Sequence, residues 1–173
     1  MLVRGATSGV GIAFARLVHA AYPKTPLTGC CRDPKAKAEA LTAVGFDATI
    51  ADRGGDLQTD QAFDRVLELV GPATLKDTCA HTAPGGIICS TGQLGGQWFM
   101  DGFDPIMDLP EGGYLTSFYS GNADDARMNA LLAFIETHDV DATPAKVFDL
   151  DHVADAHRYL EGRHSFGKVV VLP

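Results

Sequence analysis

The sequence lacks the ligand spacing that marks a metal site. Its four cysteines, Cys30, Cys31, Cys79 and Cys89, form no C-x-x-C pair, and its six histidines, His19, His81, His138, His152, His157 and His164, share no cluster with cysteine or carboxylate. His152 and His157 are five positions apart, which is off a common helix face. No metal is therefore expected. The cysteines fall in or beside segments expected in the core and read as buried free thiols of a reducing cytoplasm. Positive charge is scarce as well. Lys and Arg number 14 against 22 Asp and Glu, and the net charge of −8 argues against nucleic acid or an anionic membrane as the main partner. No apolar run approaches the ~20 residues that span a bilayer. No signal peptide is expected, because the N-terminal apolar residues run directly into a turn. There is no internal repeat and no low-complexity segment.

What remains is a composition of 46% hydrophobic and 21% charged residues over 173 positions, enough for one well-buried soluble domain. The chain is organised around its first twenty residues. A short β-prone run, Met1-Leu2-Val3-Arg4, passes through the small-residue turn Gly5-Ala6-Thr7-Ser8-Gly9 into an apolar pattern with helical spacing. Val10, Phe14, Leu17, Val18 and Ala21 form one helix face. A strand, a small-residue turn and a helix N-terminus make a phosphate site, since backbone N–H groups point outward and no side chain blocks the approach. The motif departs from G-x-G-x-x-G, with Ala6 and Ser8 at its first two glycine positions.

Strand-like and helix-like segments then alternate, the pattern of an α/β protein with a doubly wound, mainly parallel sheet of the Rossmann type. Pro26-Leu27-Thr28-Gly29-Cys30-Cys31 reads as a strand, and Asp33 caps a helix with Pro34 at its first position. Ala48-Thr49-Ile50 is a short strand followed by a polar loop, and Val66-Leu67-Glu68-Leu69-Val70 is another strand. Gly71-Pro72 opens a helix expected to stop at Pro84-Gly85-Gly86, before the strand Ile87-Ile88-Cys89-Ser90. Residues 93–113 form one long irregular region, a length that in a compact domain points to function. Tyr114-Leu115-Thr116-Ser117-Phe118-Tyr119 is a further strand, and Asn122 is expected to cap a helix that buries Met128, Leu131, Leu132 and Ile135. A strand, a helix and a last strand, Lys168 to Leu172, complete a C-terminal β-α-β tail.

Several motifs in one order go beyond a generic dinucleotide fold. They are A-x-x-G-V-G from Ala6, F-D-x-V-L-E-L-V-G from Phe63, P-G-G from Pro84, S-T-G from Ser90, and a tail with A-H-R-Y-L-E followed by F-G-K-V-V-V. Over its whole length the chain resembles the medium-chain dehydrogenase/reductase superfamily, in particular the NADPH:quinone oxidoreductase-like, zinc-binding dehydrogenase branch. The resemblance implies a Rossmann dinucleotide-binding domain over residues 1–141, and a tail over 142–173 that in relatives packs on a GroES-like catalytic domain. Since the sequence starts at the first Rossmann strand, it reads as the C-terminal half of such an enzyme. The implied activity is hydride transfer between NADPH and a quinone or an activated carbonyl or alkene. The alternative is a nucleotide-binding or dimerising module without turnover. Relatives pair the strand Tyr114 to Tyr119 across a two-fold axis, so a homodimer is expected.

For the cofactor, Ser8, Gly9 and Val10 are the expected pyrophosphate cradle. An NAD site wants an acid at the end of the second strand, whereas a 2′-phosphate needs that acid absent and a cation near. Arg32 meets both conditions, so NADPH is expected over NADH. Lys35 or Lys37 adds charge at the next helix start, and Lys37 is the one that the resemblance favours. Arg53 is a further candidate for the adenosine end. Gly92 and Gln93 follow a strand at the carboxyl edge of the sheet, where the resemblance puts the nicotinamide, with residues 94–99 as part of an apolar lid; the single tryptophan, Trp98, is equally a candidate for dimer or domain packing. Glu68 reads as a strand-end group held by neighbouring backbone N–H groups. No catalytic residue is assigned. The turn also looks like that of short-chain dehydrogenases, but no tyrosine has the lysine four positions later which that chemistry requires: Tyr22, Tyr114, Tyr119 and Tyr159 are followed by Pro26, Phe118, Ala123 and Arg163.

Overall fold

The computed structural model describes residues 1–162 and 166–173; His164 and Arg163 fall outside them. The strands are β1 (Leu2–Arg4), β2 (Thr28–Cys31), β3 (Ala48–Arg53), β4 (Asp56–Leu57), β5 (Phe63–Glu68), β6 (Thr82–Ser90) and β7 (Tyr114–Ser117). They form one sheet in the order β4-β3-β2-β1-β5-β6-β7. Only β4 is antiparallel to its neighbour among these pairs. Helices α1 (Gly9–Ala21), α2 (Pro34–Ala43) and α3 (Pro72–Ala80) supply the crossovers, followed by the single turn α4 (Pro105–Asp108) and by α5 (Asp125–Thr137). The tail adds β8 (Lys146–Asp149), α6 (Val153–Glu161) and β9 (Val169–Leu172), with β8 and β9 paired in parallel in a sheet of their own. This is the doubly wound α/β architecture that the alternation predicts.

The core lies on both faces of the sheet, because successive strand residues point to opposite sides. Val3, Cys31, Leu67 and Leu69 join Ala15, Leu41 and Phe46 on one face. Their neighbours Leu2, Cys30 and Val66 join Leu75, Cys79 and Ile88 on the other. Such double burial is what makes parallel strands read as continuous apolar runs.

Four expectations need correction. The fully buried residues of α1 are Gly11, Ile12 and Ala15; of the expected face, Phe14 and Val18 pack against the core, but Val10 is 57% exposed. Small residues decide this face, because a Cβ on Gly11 would stand 2.6 Å from the Gly5 carbonyl oxygen. Second, α3 ends at Ala80, and Pro84, Gly85 and Gly86 lie within β6, where its pairing with β5 jumps register between Phe63 and Arg65. A bulge in the strand, rather than a helix stop, absorbs these breakers. Third, the cap of α5 is Asp124, whose Oδ1 accepts from Arg127 N at 2.8 Å, while Asn122 closes a single 3-10 turn before it. Fourth, Met128, Leu131 and Leu132 on α5 are exposed, since no residue of that helix is buried against the described chain. β4 and α4 fall in segments expected to be loops.

The tail touches the main sheet at the first turn. Gly167 N donates to Thr7 O at 3.2 Å, and Ser8 and Gly167 form a parallel bridge. Arg16 on α1 meets the start of the tail, pairing with Asp141 at 3.0 Å. Among the described residues no helix is long and apolar enough to cross a membrane.

Candidate functional site

The site grows from the turn between β1 and α1. Gly5 takes a φ of +85°, a conformation open to glycine and strained for other residues. Ser8 caps α1, its Oγ accepting from Gly11 N at 3.0 Å. The first N–H groups of a helix have no intrahelical acceptor. With Gly11 served by Ser8, those of Gly9 and Val10 are left to meet an anion at the positive end of the helix dipole.

Two adjoining cavities open at the carboxyl ends of β1, β2, β3 and β5. One, of about 300 Å³, is lined by Gly5, Thr7, Ser8, Gly9, Arg32 and Lys37, with Leu160, Phe166 and Gly167 of the tail on its outer side. The other, of about 480 Å³, shares Gly5, Thr7, Cys31, Arg32 and Leu94 with the first and runs on to Asp52, Gly54, Gly55, Val70 and Thr74. β1 and β5 are neighbours whose connections leave in opposite directions along the sheet. Ligands of open α/β sheets bind outside such a switch point.

The sequence candidates distribute unevenly around these cavities. Ser8, Gly9, Arg32 and Lys37 come together at the smaller one. Asp33, the acid beside Arg32, is committed to the cap of α2, its Oδ1 accepting from Ala36 N at 3.2 Å. Lys37 Nζ stands 5.6 Å from the centre of the Phe166 ring. Val10 turns away, toward a separate apolar cavity of about 660 Å³ between α1, α5 and the tail. Gly92 and Gln93 do not line either of the two adjoining cavities. Gly92 instead lies flat on the end of β5, where a Cβ would come within 2.2 Å of Leu69 O. That contact lets Leu94 N donate to Leu69 O at 3.1 Å, and so fixes the Leu94 side chain at the wall common to both cavities. Arg53 is exposed and Trp98 and Phe99 stand in solvent, 67% and 82% exposed.

Beneath the groove lies a charged layer that periodicity does not reveal. Arg4, the last residue of β1, has no exposed surface. Its Nε donates to Asp52 Oδ2 at 3.0 Å, and its Nη1 to Asp77 Oδ2 at 2.6 Å, Thr78 Oγ1 at 2.8 Å and Thr74 O at 3.1 Å. Nη2 donates to Gly55 O at 2.5 Å. Burial works against the guanidinium charge, but Asp52, Glu68 and Asp77 outweigh it and hold its pKa above the ordinary value. Glu68 is equally buried; Oε1 accepts from Val70 N at 2.7 Å and Gly71 N at 3.1 Å, and Oε2 accepts from the Thr78 hydroxyl. Burial raises its pKa, with Thr78, the two backbone donors and Arg4 pulling the other way. The expected strand-end role of Glu68 is thus seen in the hydrogen bonds. The sequence signal for Arg4 is an arginine inside an otherwise apolar strand, which demands buried acids somewhere in the fold.

A family model for zinc-binding dehydrogenases matches residues 44–171, well over half of the chain. The chain belongs to the zinc-binding dehydrogenase family. Solved structures agree in fold. AibC matches with a TM-score of 0.77 and 25% identity, over 99% of this chain and 48% of its own. Mycobacterial Rv1454c complexed with NADPH matches with a TM-score of 0.77 and 19% identity, over 99% and 56%. A quinone oxidoreductase from Pseudomonas syringae pv. Tomato DC3000 matches with 0.76 and 21%, over 99% and 56%. This zinc-binding dehydrogenase chain therefore spans about half the length of those structures. A comparison with curated protein sequences gave no match. Among the described residues no group of three or more His, Cys, Asp or Glu could hold a metal ion.

Proposed function

We propose that this chain holds NADPH for an oxidoreductase that passes hydride between the nicotinamide and a quinone or an activated carbonyl or alkene. The observation that carries the reading is the pair of adjoining cavities at the sheet's switch point, with Arg32 where an NAD site would have an acid. The NADPH complex of mycobacterial Rv1454c, similar in fold, lends support. Gly9 and Val10 offer N–H groups to the pyrophosphate, with Ser8 shaping the turn. Arg32 and Lys37 offer positive charge to the 2′-phosphate. Asp33, engaged as a helix cap, does not compete for Arg32. Gly92 and Gln93 lie toward the nicotinamide end, Gly92 by allowing the chain after β6 to close on β5. When bound, the cofactor supplies the hydride; the protein's part is position and electrostatics. No side chain is assigned as acid or base.

A second reading, a nucleotide-binding and dimerising module without turnover, is supported by a different observation. All four residues of edge strand β7 are exposed, and the apolar face of α5 is uncovered. An open edge of this kind is a template for pairing, and a homodimer through β7 would extend the sheet across a two-fold axis. The four free thiols fit a reducing cytoplasm. Fluorescence titration with NADPH, followed by the absorbance of reduced nicotinamide on adding a quinone, separates the readings. Binding with oxidation supports the reductase. Binding without oxidation supports the module, and no binding rejects both.

A further inference from the structure

The buried guanidinium of Arg4 joins three segments that are far apart in sequence. One is the end of β1, one residue before the phosphate turn. The second is Asp52-Arg53-Gly54-Gly55, reached through Asp52 Oδ2 and Gly55 O. The third is the first two turns of α3, reached through Thr74 O, Asp77 Oδ2 and Thr78 Oγ1. Asp52, Gly55 and Thr74 also line the larger of the adjoining cavities, with Gly55 packed close against Thr74. Residues that wall the groove are therefore tied to one side chain that does not itself line it.

Asp52 and Asp77 each serve a second group. Asp52 Oδ1 accepts from Gly55 N at 3.1 Å, closing the turn, and Asp77 Oδ2 accepts from Leu57 N at 3.1 Å, tying β4 to α3. Gly54 and Gly55 take φ values of +68° and +101°, so the turn is built from residues with little conformational preference of their own. Without an anchor such a turn samples many conformations, and a pocket wall made from it costs ordering entropy each time ligand binds.

In a dinucleotide fold the adenosine ribose lies at the end of the second strand, here Arg32, and the next strand outward is β3, which ends in this turn. We propose that Arg4 is a positioning residue for the adenosine end of the cofactor: from beneath the groove it holds residues 52–55 and the start of α3 at a fixed separation. The proposal rests on the NADPH-binding reading. Arg4 contributes affinity without contact, by pre-ordering the wall. A lysine cannot replace it, since one ammonium has three donors on a single atom and cannot span Asp52, Gly55 and Asp77 as the planar fork does.

The test uses Arg4→Lys in the full chain, with Asp52→Asn as a second variant should the first fail to fold. Hydrogen exchange is compared with wild type, and adenosine 2′,5′-bisphosphate and NADPH are titrated under conditions where the variant is fully folded. The expected result is faster exchange confined to residues 52–57 and 74–78, with both ligands weakened by the same factor, about 10-fold. Equal loss assigns the effect to the adenosine end, and a purely structural role would lower stability while leaving the folded variant's affinities unchanged. Unchanged exchange at 52–57, or unchanged affinity for the bisphosphate, overturns the proposal. If wild type binds neither ligand, the NADPH reading fails by itself and the affinity role of Arg4 falls with it; the exchange data then decide only whether the clamp exists.

Discussion

Arg4 on β1 reaches across β2 to Asp52 on β3, Nε to Oδ2 at 3.0 Å, and the Cys30 thiol of the intervening strand lies 3.9 Å from the same carboxylate oxygen. A cation, an acid and a thiol thus occupy the interior directly below a turn built to receive anions. The Arg4 side chain is fully buried and those of Asp52 and Asp77 nearly so, at 13% and 19% exposure.

Removing the cation alone should therefore be costly, because it leaves buried acids uncompensated. Arg4→Met is expected to lower unfolding stability by about 3–5 kcal/mol. The check is the urea midpoint with an unchanged m-value. A loss below about 1 kcal/mol would mean that the carboxylates are served well enough by Gly55, Leu57 and water.

Gly9 and Gly11, two positions apart at the start of α1, should behave very differently. Gly11→Ala drives a Cβ to 2.6 Å from Gly5 O and 2.8 Å from Ala6 O, both rigid backbone atoms. A loss of about 1–3 kcal/mol is expected, with weaker NADPH binding as the turn shifts. At Gly9 the added Cβ meets the flexible Lys168 side chain first, at 3.2 Å, so Gly9→Ala should fold nearly as well as wild type. Thermal melts of the two variants side by side give the comparison.

The thiols supply a third prediction. Burial pushes Cys30 up to about 12 and Cys79 up to about 11, so neither is a thiolate near neutral pH. Labelling with an aromatic disulfide at pH 8 should modify both only on the timescale of unfolding. Rapid modification of either in the native protein would show that its side of the sheet opens to solvent.

A pH effect is expected in the tail. His152 Nδ1 lies 2.5 Å from Asp149 Oδ1, and that hydrogen bond with its charge attraction raises the His152 pKa and lowers that of Asp149. Because the folded histidine holds its proton above the unfolded value of 6.5 and Asp149 stays ionised below its unfolded value of 3.8, the contribution of the pair is complete between those two values, fades as pH rises through the folded pKa of His152, and is lost as pH falls through that of Asp149. Both side chains are well exposed, so the readout is the titration itself: by NMR, Asp149→Asn should move the His152 midpoint downward.

Much of the fold was legible because its signals are local. Alternating periods, Asp33-Pro34 as a helix start and the small-residue turn each act within a few residues of themselves. What was not legible depends on topology. On α1 apolar spacing picks out Phe14 and Val18, which pack on the core, but it adds the exposed Val10 and passes over Gly11 and Ala15, which close approach to the sheet buries. The α5 face followed the helical period correctly, but periodicity says which residues share a side and not whether anything covers it. Around the site, Arg32 could be read from its place after a strand. The Arg4 layer could not, since Asp52, Asp77 and Glu68 come to it from three separate elements. Phe166 and Gly167 are legible as part of the tail motif F-G-K-V-V-V, but not their place at the phosphate turn, which they reach from the far end of the chain.

The central claim, that the groove holds NADPH with Arg32 reading its 2′-phosphate, is tested most directly by titrating wild type and Arg32→Gln with NADPH and NADH. The account predicts that wild type prefers NADPH, and that the variant loses about 10-fold in NADPH affinity, roughly 1.4 kcal/mol, with NADH unchanged. Equal binding of the two cofactors by wild type, or an Arg32→Gln variant that still prefers NADPH, would contradict it.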